Sequence, residues 1–169
     1  MRVKTGTGWQ DDDAEARSLY CQVLSRHGLE ATEAADGEAA LAFYSEAFGA
    51  RPGLRLDDPS GKVAHAEFRI GAALVMLSEP WPDMGIRDPR AIGGSPVTIA
   101  VTVDDVDATV ARAEAAGARV LRPPSDEFYG HRAARIEDPF GHVWYVSSVR
   151  EVLDDAEILR RWQAMVAAA

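Results

Sequence analysis

What the chain lacks narrows it first. Among 169 residues there is one cysteine, Cys21. That rules out an intramolecular disulfide and a zinc–thiolate cluster, and it fits a reducing cytoplasm. No run of about 18 apolar residues occurs, so neither a transmembrane helix nor a membrane partner is expected. The first residues lack the basic-then-apolar order of a secretory signal. Clustered lysine and arginine are missing from a chain of net charge −9. Nucleic acid is therefore not an expected partner, because phosphate contacts need concentrated positive charge. No Ser-His-Asp or Cys-His signature and no glycine-rich phosphate loop is found, so nucleophilic catalysis has no support.

What is present is ordinary globular material, 47% hydrophobic, of a length that suits one domain or two small modules sharing a core. Its second half spells strand, helix, strand and hairpin. Val97, Ile99, Val101 and Val103 alternate with Thr98, Ala100 and Thr102, which predicts a strand with its branched side chains beneath a helix over 106–116. Gly117 follows, then a strand, then strands 132–137 and 142–148 around the turn Asp138-Pro139-Phe140-Gly141. An echo lies upstream. A helix over 38–48 has Ala39, Leu41, Ala42 and Phe48 on one face and Gly49 as its stop. Strands around 54–56, 63–70 and 73–78 follow, with Asp58-Pro59-Ser60-Gly61 as a hairpin turn. Between the copies, residues 80–96 hold four prolines and three glycines and read as a linker. A βαβββ unit used twice is an architecture in itself.

These motifs carry a resemblance. The run from Ala40 to Ala50 (ALAFYSEAFGA), the strand 63–70, the segment Val103-Asp104-Asp105-Val106-Asp107-Ala108-Thr109, and Phe128-Tyr129-Gly130-His131-Arg132 followed by Asp138-Pro139-Phe140-Gly141-His142-Val143-Trp144 resemble the vicinal-oxygen-chelate superfamily. That superfamily includes glyoxalase I, extradiol dioxygenases and bleomycin- and fosfomycin-resistance proteins, and the likeness is greatest to its PhnB-like branch. It covers about two thirds of the chain. It implies an α+β fold in which two βαβββ modules form an open curved sheet, or cup, around a small-molecule site, often in a homodimer. The expected division is an N-terminal helical extension at 1–28, modules at 29–80 and 97–148 joined by the linker 81–96, and a C-terminal helix within 149–169. Residues 9–42, with Asp11, Asp12 and Asp13, also resemble the opening of a response-regulator receiver. Neither the apolar strand before those acids nor an acceptor aspartate at family spacing is found, so receiver chemistry is not expected.

The resemblance also implies where a divalent metal would be held, by His and Glu on four inward strands. By motif offset those positions fall on Leu29, Met76, Thr98 and Tyr145, none of them a strong ligand, although Glu33 shares a face with Leu29. No cofactor is therefore expected, with a displaced divalent site as the alternative. His65 and Glu67 could form it, since with Arg69 they alternate on one face of a strand and can orient each other. The other reading of that face is a solvated ion pair. Ligand-binding candidates are Met76, Thr98 and Tyr145 in the cup wall, with Trp81, Tyr129, His131 and Arg132 near the rim. Trp81 suits either an aromatic lid or a packing anchor, and Arg132 either an anion clamp or a rim group. Trp144 is expected in the core. Two classes stay open, a metal-independent binding module suited to a cationic, partly aromatic ligand, and a metal-dependent lyase or dioxygenase.

Overall fold

The computed structural model describes residues 37–168. The readings placed on Cys21, on Asp11, Asp12 and Asp13, on Leu29 and Glu33, and on the helical extension at 1–28 lie outside them. The described chain runs α1 (Gly37–Phe48), β1 (Arg51–Asp57), β2 (Val63–Ile70), β3 (Ala73–Leu77), β4 (Thr98–Thr102), α2 (Val106–Ala115), β5 (Arg119–Asp126), β6 (His131–Glu137), β7 (Val143–Val149) and α3 (Asp155–Ala167). β1, β2 and β3 form an antiparallel sheet. The second sheet has the order β4-β7-β6-β5, with β4 parallel to β7 and the other pairs antiparallel. The second half is thus a complete βαβββ unit, and the described part of the first is αβββ.

Local chemistry sets these boundaries. Asp105 caps α2 by accepting a hydrogen bond from the Ala108 N–H at 3.0 Å. α1 stops at Gly49, whose φ of 64° suits a residue without Cβ, and the Ala50 N–H reaches back to the Tyr44 carbonyl. The two β-hairpins that match between the units are built alike. Asp58 Oδ1 accepts from the Ser60 and Lys62 N–H groups, and Asp138 Oδ1 accepts from those of Phe140 and His142.

One core serves both halves. Phe43, Tyr44 and Phe48 of α1 meet Val106, Val110 and Ala113 of α2, and both helices lie against Phe68 and Ile70 of β2 and Ile136, Trp144 and Val146 of β6 and β7. Each large apolar side chain buried there contributes about 1.5–3 kcal/mol. Asp138 fastens this core: its Oδ2 accepts from the Tyr44 hydroxyl and from Trp144 Nε1, both at 2.9 Å. Ile99, Val101 and Val103 pack on the core as the alternation predicts. Val97 does not. It is 60% exposed, because the ladder begins one residue later, at Thr98 opposite Val143.

Both sheets give their helix-side faces to this core, so their other faces point away from it. The linker is not featureless. It holds 3₁₀ turns at Pro82–Met84 and Arg90–Ile92, and Trp81 is buried against Ala64 and Ile86 with the Lys62 ammonium 4.3 Å above its ring.

Candidate functional site

The outer face of the four-stranded sheet gathers the most chemistry. Its residues follow from pairing. Tyr145 of β7 stands opposite Ala100 of β4 and Arg135 of β6, Ser147 stands opposite Thr102 and Ala133, and Arg122 of β5 stands opposite Arg135. Directly opposed residues share a face. Trp144 and Ile136, one step along, are in the core. Thr98, Ala100 and Thr102 are exposed here and small, which leaves space over the β4 side of the face.

Tyr129 leans onto this face from the β5–β6 turn, and its hydroxyl lies 2.6 Å from that of Tyr145. Burial, and then the Tyr129 hydroxyl, push the Tyr145 pKa well above the ordinary phenol value, so that phenol is neutral at physiological pH. One proton joins the two oxygens. The other is left to donate outward, beside free lone pairs. His131 meets the Tyr129 ring edge-on at 5.5 Å. Glu127 accepts from Ser125 Oγ and pairs with Arg122 Nη2, both at 2.7 Å.

The turn that carries Tyr129 is stapled to the end of β7. The Gly130 carbonyl accepts from the Arg150 and Glu151 N–H groups. Gly130 has φ 83°, and a Cβ there would lie 2.4 Å from the Glu151 carbonyl oxygen, so only glycine fits. α3 closes the same end. Trp162 lies 5.5 Å from Phe128, which in turn meets Tyr129 edge-on at 4.9 Å. Arg161 ties the helix down through Glu151, Glu157 and the Phe128 carbonyl.

The remaining candidates fall elsewhere. Arg132 turns to the helix side, where Asp107 of α2 and Asp126 hold its guanidinium. Trp81 is 1% exposed, in the packing position rather than over an opening. Met76 is 61% exposed on the outer face of the other sheet, opposite Glu67. His65 Nε2 and Glu67 Oε1 on that face are 3.3 Å apart and half-buried. Among the described residues no three His, Cys, Asp or Glu side chains converge as ligands would. The superfamily's metal does not fit the donors in place. Met76 offers a thioether, Thr98 a lone alcohol, and Tyr145 a phenol held protonated.

A cavity of about 270 Å³ lies on the helix side between β3 and β4, lined by Tyr44, Phe68, Val75, Leu77, Ile99 and Trp144 among others. Gly37, the first described residue, is in its wall. Arg122, Glu127 and Arg135 are the residues sequence reading passed over. The period of two through β6 carried the signal for Arg135, since His131, Ala133 and Arg135 must share one face.

Residues 34–146 match the sequence model of the Glyoxalase/Bleomycin resistance protein/Dioxygenase superfamily. The chain belongs to that superfamily. An uncharacterized protein of Mycobacterium bovis, Mb0911c, is 43% identical over 121 residues, which is 69% of this chain and 80% of that one. The Mycobacterium tuberculosis protein Rv0887c is equally identical, with 71% of its length covered. Among solved structures, TioX from Micromonospora sp. ML1 is 29% identical with a TM-score of 0.50, covering 70% of this chain and 92% of that one. An Arabidopsis thaliana gene product is 26% identical with a TM-score of 0.52, covering 65% and 86%. The superfamily match agrees with the two open sheets and their helices, and it begins at residue 34, within the receiver-like segment 9–42.

Proposed function

We propose that this superfamily member is a small-molecule binding protein that holds its ligand on the outer face of the β4-β7-β6-β5 sheet, without the standard metal site. The observation that carries this reading is the Tyr129–Tyr145 hydroxyl pair, braced by Gly130 and α3 and set beside Thr98, Ala100 and Thr102. Rigid aromatic groups beside small side chains make a surface that a ligand can fill. Within the superfamily the motifs favour the PhnB-like branch, and the cysteine content favours a cytoplasmic protein.

Two copies would complete the cup. The outer faces of the two sheets point away from one core, so within a single chain they do not close on each other. A homodimer that sets the His65, Glu67 and Met76 face of one protomer against the Tyr145 face of its partner would bring the sequence-predicted wall and rim together. The alternative, a metal-dependent lyase or dioxygenase, rests on His65 and Glu67, and would need a third ligand from the partner.

The test is a thermal-shift screen of a small-molecule library on wild type and on Tyr145→Trp, since binding to the native state alone raises Tm. Ligands that stabilise the wild type should lose their effect in the variant while its unliganded Tm stays within a few degrees. Undiminished stabilisation of Tyr145→Trp would move the site off this face. Metal analysis of the purified protein separates the alternative, which requires a stoichiometric divalent ion.

A further inference from the structure

We infer that the ligand of this face carries an oxyanion, a carboxylate or a phosphoryl group, and that Arg135 is the residue that holds it. The inference rests on the binding reading above and names the chemistry of its ligand. Three arginines stand on the outer face of the sheet. Arg119 is committed to Glu137 at 2.7 Å, and Arg122 to Glu127 at 2.7 Å. Arg135 is exposed, and among the described residues it makes no ion pair or hydrogen bond. Both glutamates on the face are therefore already matched, and one guanidinium is left over.

The overall net charge of −9 does not extend to this surface, which carries a local excess of one positive charge. Arg135 stands opposite Tyr145, one of the two hydroxyls that share one proton and have a second to give. Two groups of complementary kind thus flank one point on the sheet: a planar fork of N–H donors and a neutral O–H donor. That combination fits an oxyanion, with two oxygens on the fork and one of them also on the phenol. A cation would meet the guanidinium instead. Ala133 and Ala100 on either side bring no competing polar group, so the body of the ligand can lie on the Tyr145 ring toward β4.

Arg132, three residues earlier, is the contrasting case. It has the same side chain but is held on the opposite face by Asp107 and Asp126. It supplies the control for a change in charge alone.

The experiment titrates the full chain with benzoate, phenylphosphonate, the uncharged benzamide and the cation benzyltrimethylammonium, following tyrosine ring resonances by NMR. Benzoate or phenylphosphonate should bind, with the larger shifts at Tyr145 and Tyr129, and benzamide should bind at least ten-fold more weakly. Which anion is tighter tells a carboxylate ligand from a phosphoryl one. Arg135→Gln should weaken the anion at least ten-fold, Arg135→Lys less. Arg132→Gln should leave anion affinity within two-fold. Should Arg135→Gln leave affinity unchanged, or should the cation bind best at the same tyrosines, the oxyanion assignment is overturned while the binding face stands. Were no probe to shift either tyrosine while the library screen shows Tyr145-dependent ligands, the assignment also fails and the face again survives. Anion shifts confined to residues elsewhere would remove both.

Discussion

Asp138→Ala should cost about 4 kcal/mol of stability, and the equivalent Asp58→Ala about 1 kcal/mol, although the two aspartates hold matching turns. The difference is worked from what else each carboxylate holds. Asp58 serves its own half-buried turn: the N–H groups of Ser60 and Lys62 and the Ser60 hydroxyl. With Asp58 gone, water reaches those donors. Asp138 is 2% exposed, and its second oxygen holds the buried Tyr44 hydroxyl and Trp144 Nε1. Each donor left unpaired there costs about 1–3 kcal/mol, and the turn adds its own loss. Relief of the carboxylate's burial offsets a part. Urea denaturation gives the values, read as a shift of midpoint at constant slope. A double-mutant cycle isolates the Tyr44 link. Tyr44→Phe should cost about 1 kcal/mol in wild type and be neutral or stabilising on the Asp138→Ala background, because it then removes an orphaned hydroxyl. Equal costs for Asp58→Ala and Asp138→Ala would refute the reasoning.

Gly130→Ala should destabilise by more than about 2 kcal/mol, since a clash with the Glu151 carbonyl adds to the strain of positive φ. Gly49→Ala, where no atom stands within 4 Å of the new Cβ, should cost about 1 kcal/mol, and thermal melts compare them. Trp162→Ala should free Phe128 and Tyr129, seen as faster amide exchange at 127–131 with little change in exchange of β6 and β7. The clasp of α3 should open in acid. Hydrogen bonds from Arg160 and then Arg161 hold the Glu157 pKa at about 2, and one from Arg161 lowers that of Glu151. Depressed carboxylate pKa values mean that this contribution is complete above the unfolded value, about 4.3, and is lost as pH falls toward about 2. The difference in fluorescence between wild type and Trp162→Phe should follow that window, and a flat difference from pH 5 to 2 would contradict it.

Much of this was legible in the residues. Period-two alternation in β2 and β4, the stop at Gly49, and the two Asp-Pro turns each have a local cause, so both helices and the hairpins could be read directly. The ends of elements were less legible. Val97 looked like part of a strand by alternation, but a ladder begins only where a partner backbone stands, and that is a tertiary fact. β5 runs on through Pro123 and Pro124 by shifting its register against β6, although proline cannot donate to a ladder. The candidate site was readable in part. Tyr129, His131 and Tyr145 come together as one cluster, because turn and strand chemistry decide them. Arg132 was weighed as a possible anion clamp because it lies close to Tyr129 in sequence, yet on β6 it points to the helix side, where α2 offers Asp107. Trp81 had no periodicity to place it, and its burial against Ala64 and Ile86 depends on the path of the linker.

The single core on which both helices meet has a consequence for how such a chain can change over time. The residues that make the fold cohere are gathered on the inward faces, and those free to meet another molecule are on the outward ones. A substitution at Arg135 or Met76 alters what one surface recognises and leaves Phe48, Trp144 and Ile136 untouched. The two halves can therefore drift apart in chemistry while remaining one folding unit. In this chain the two outward faces differ: one carries His65 and Glu67, and the other a pair of tyrosines.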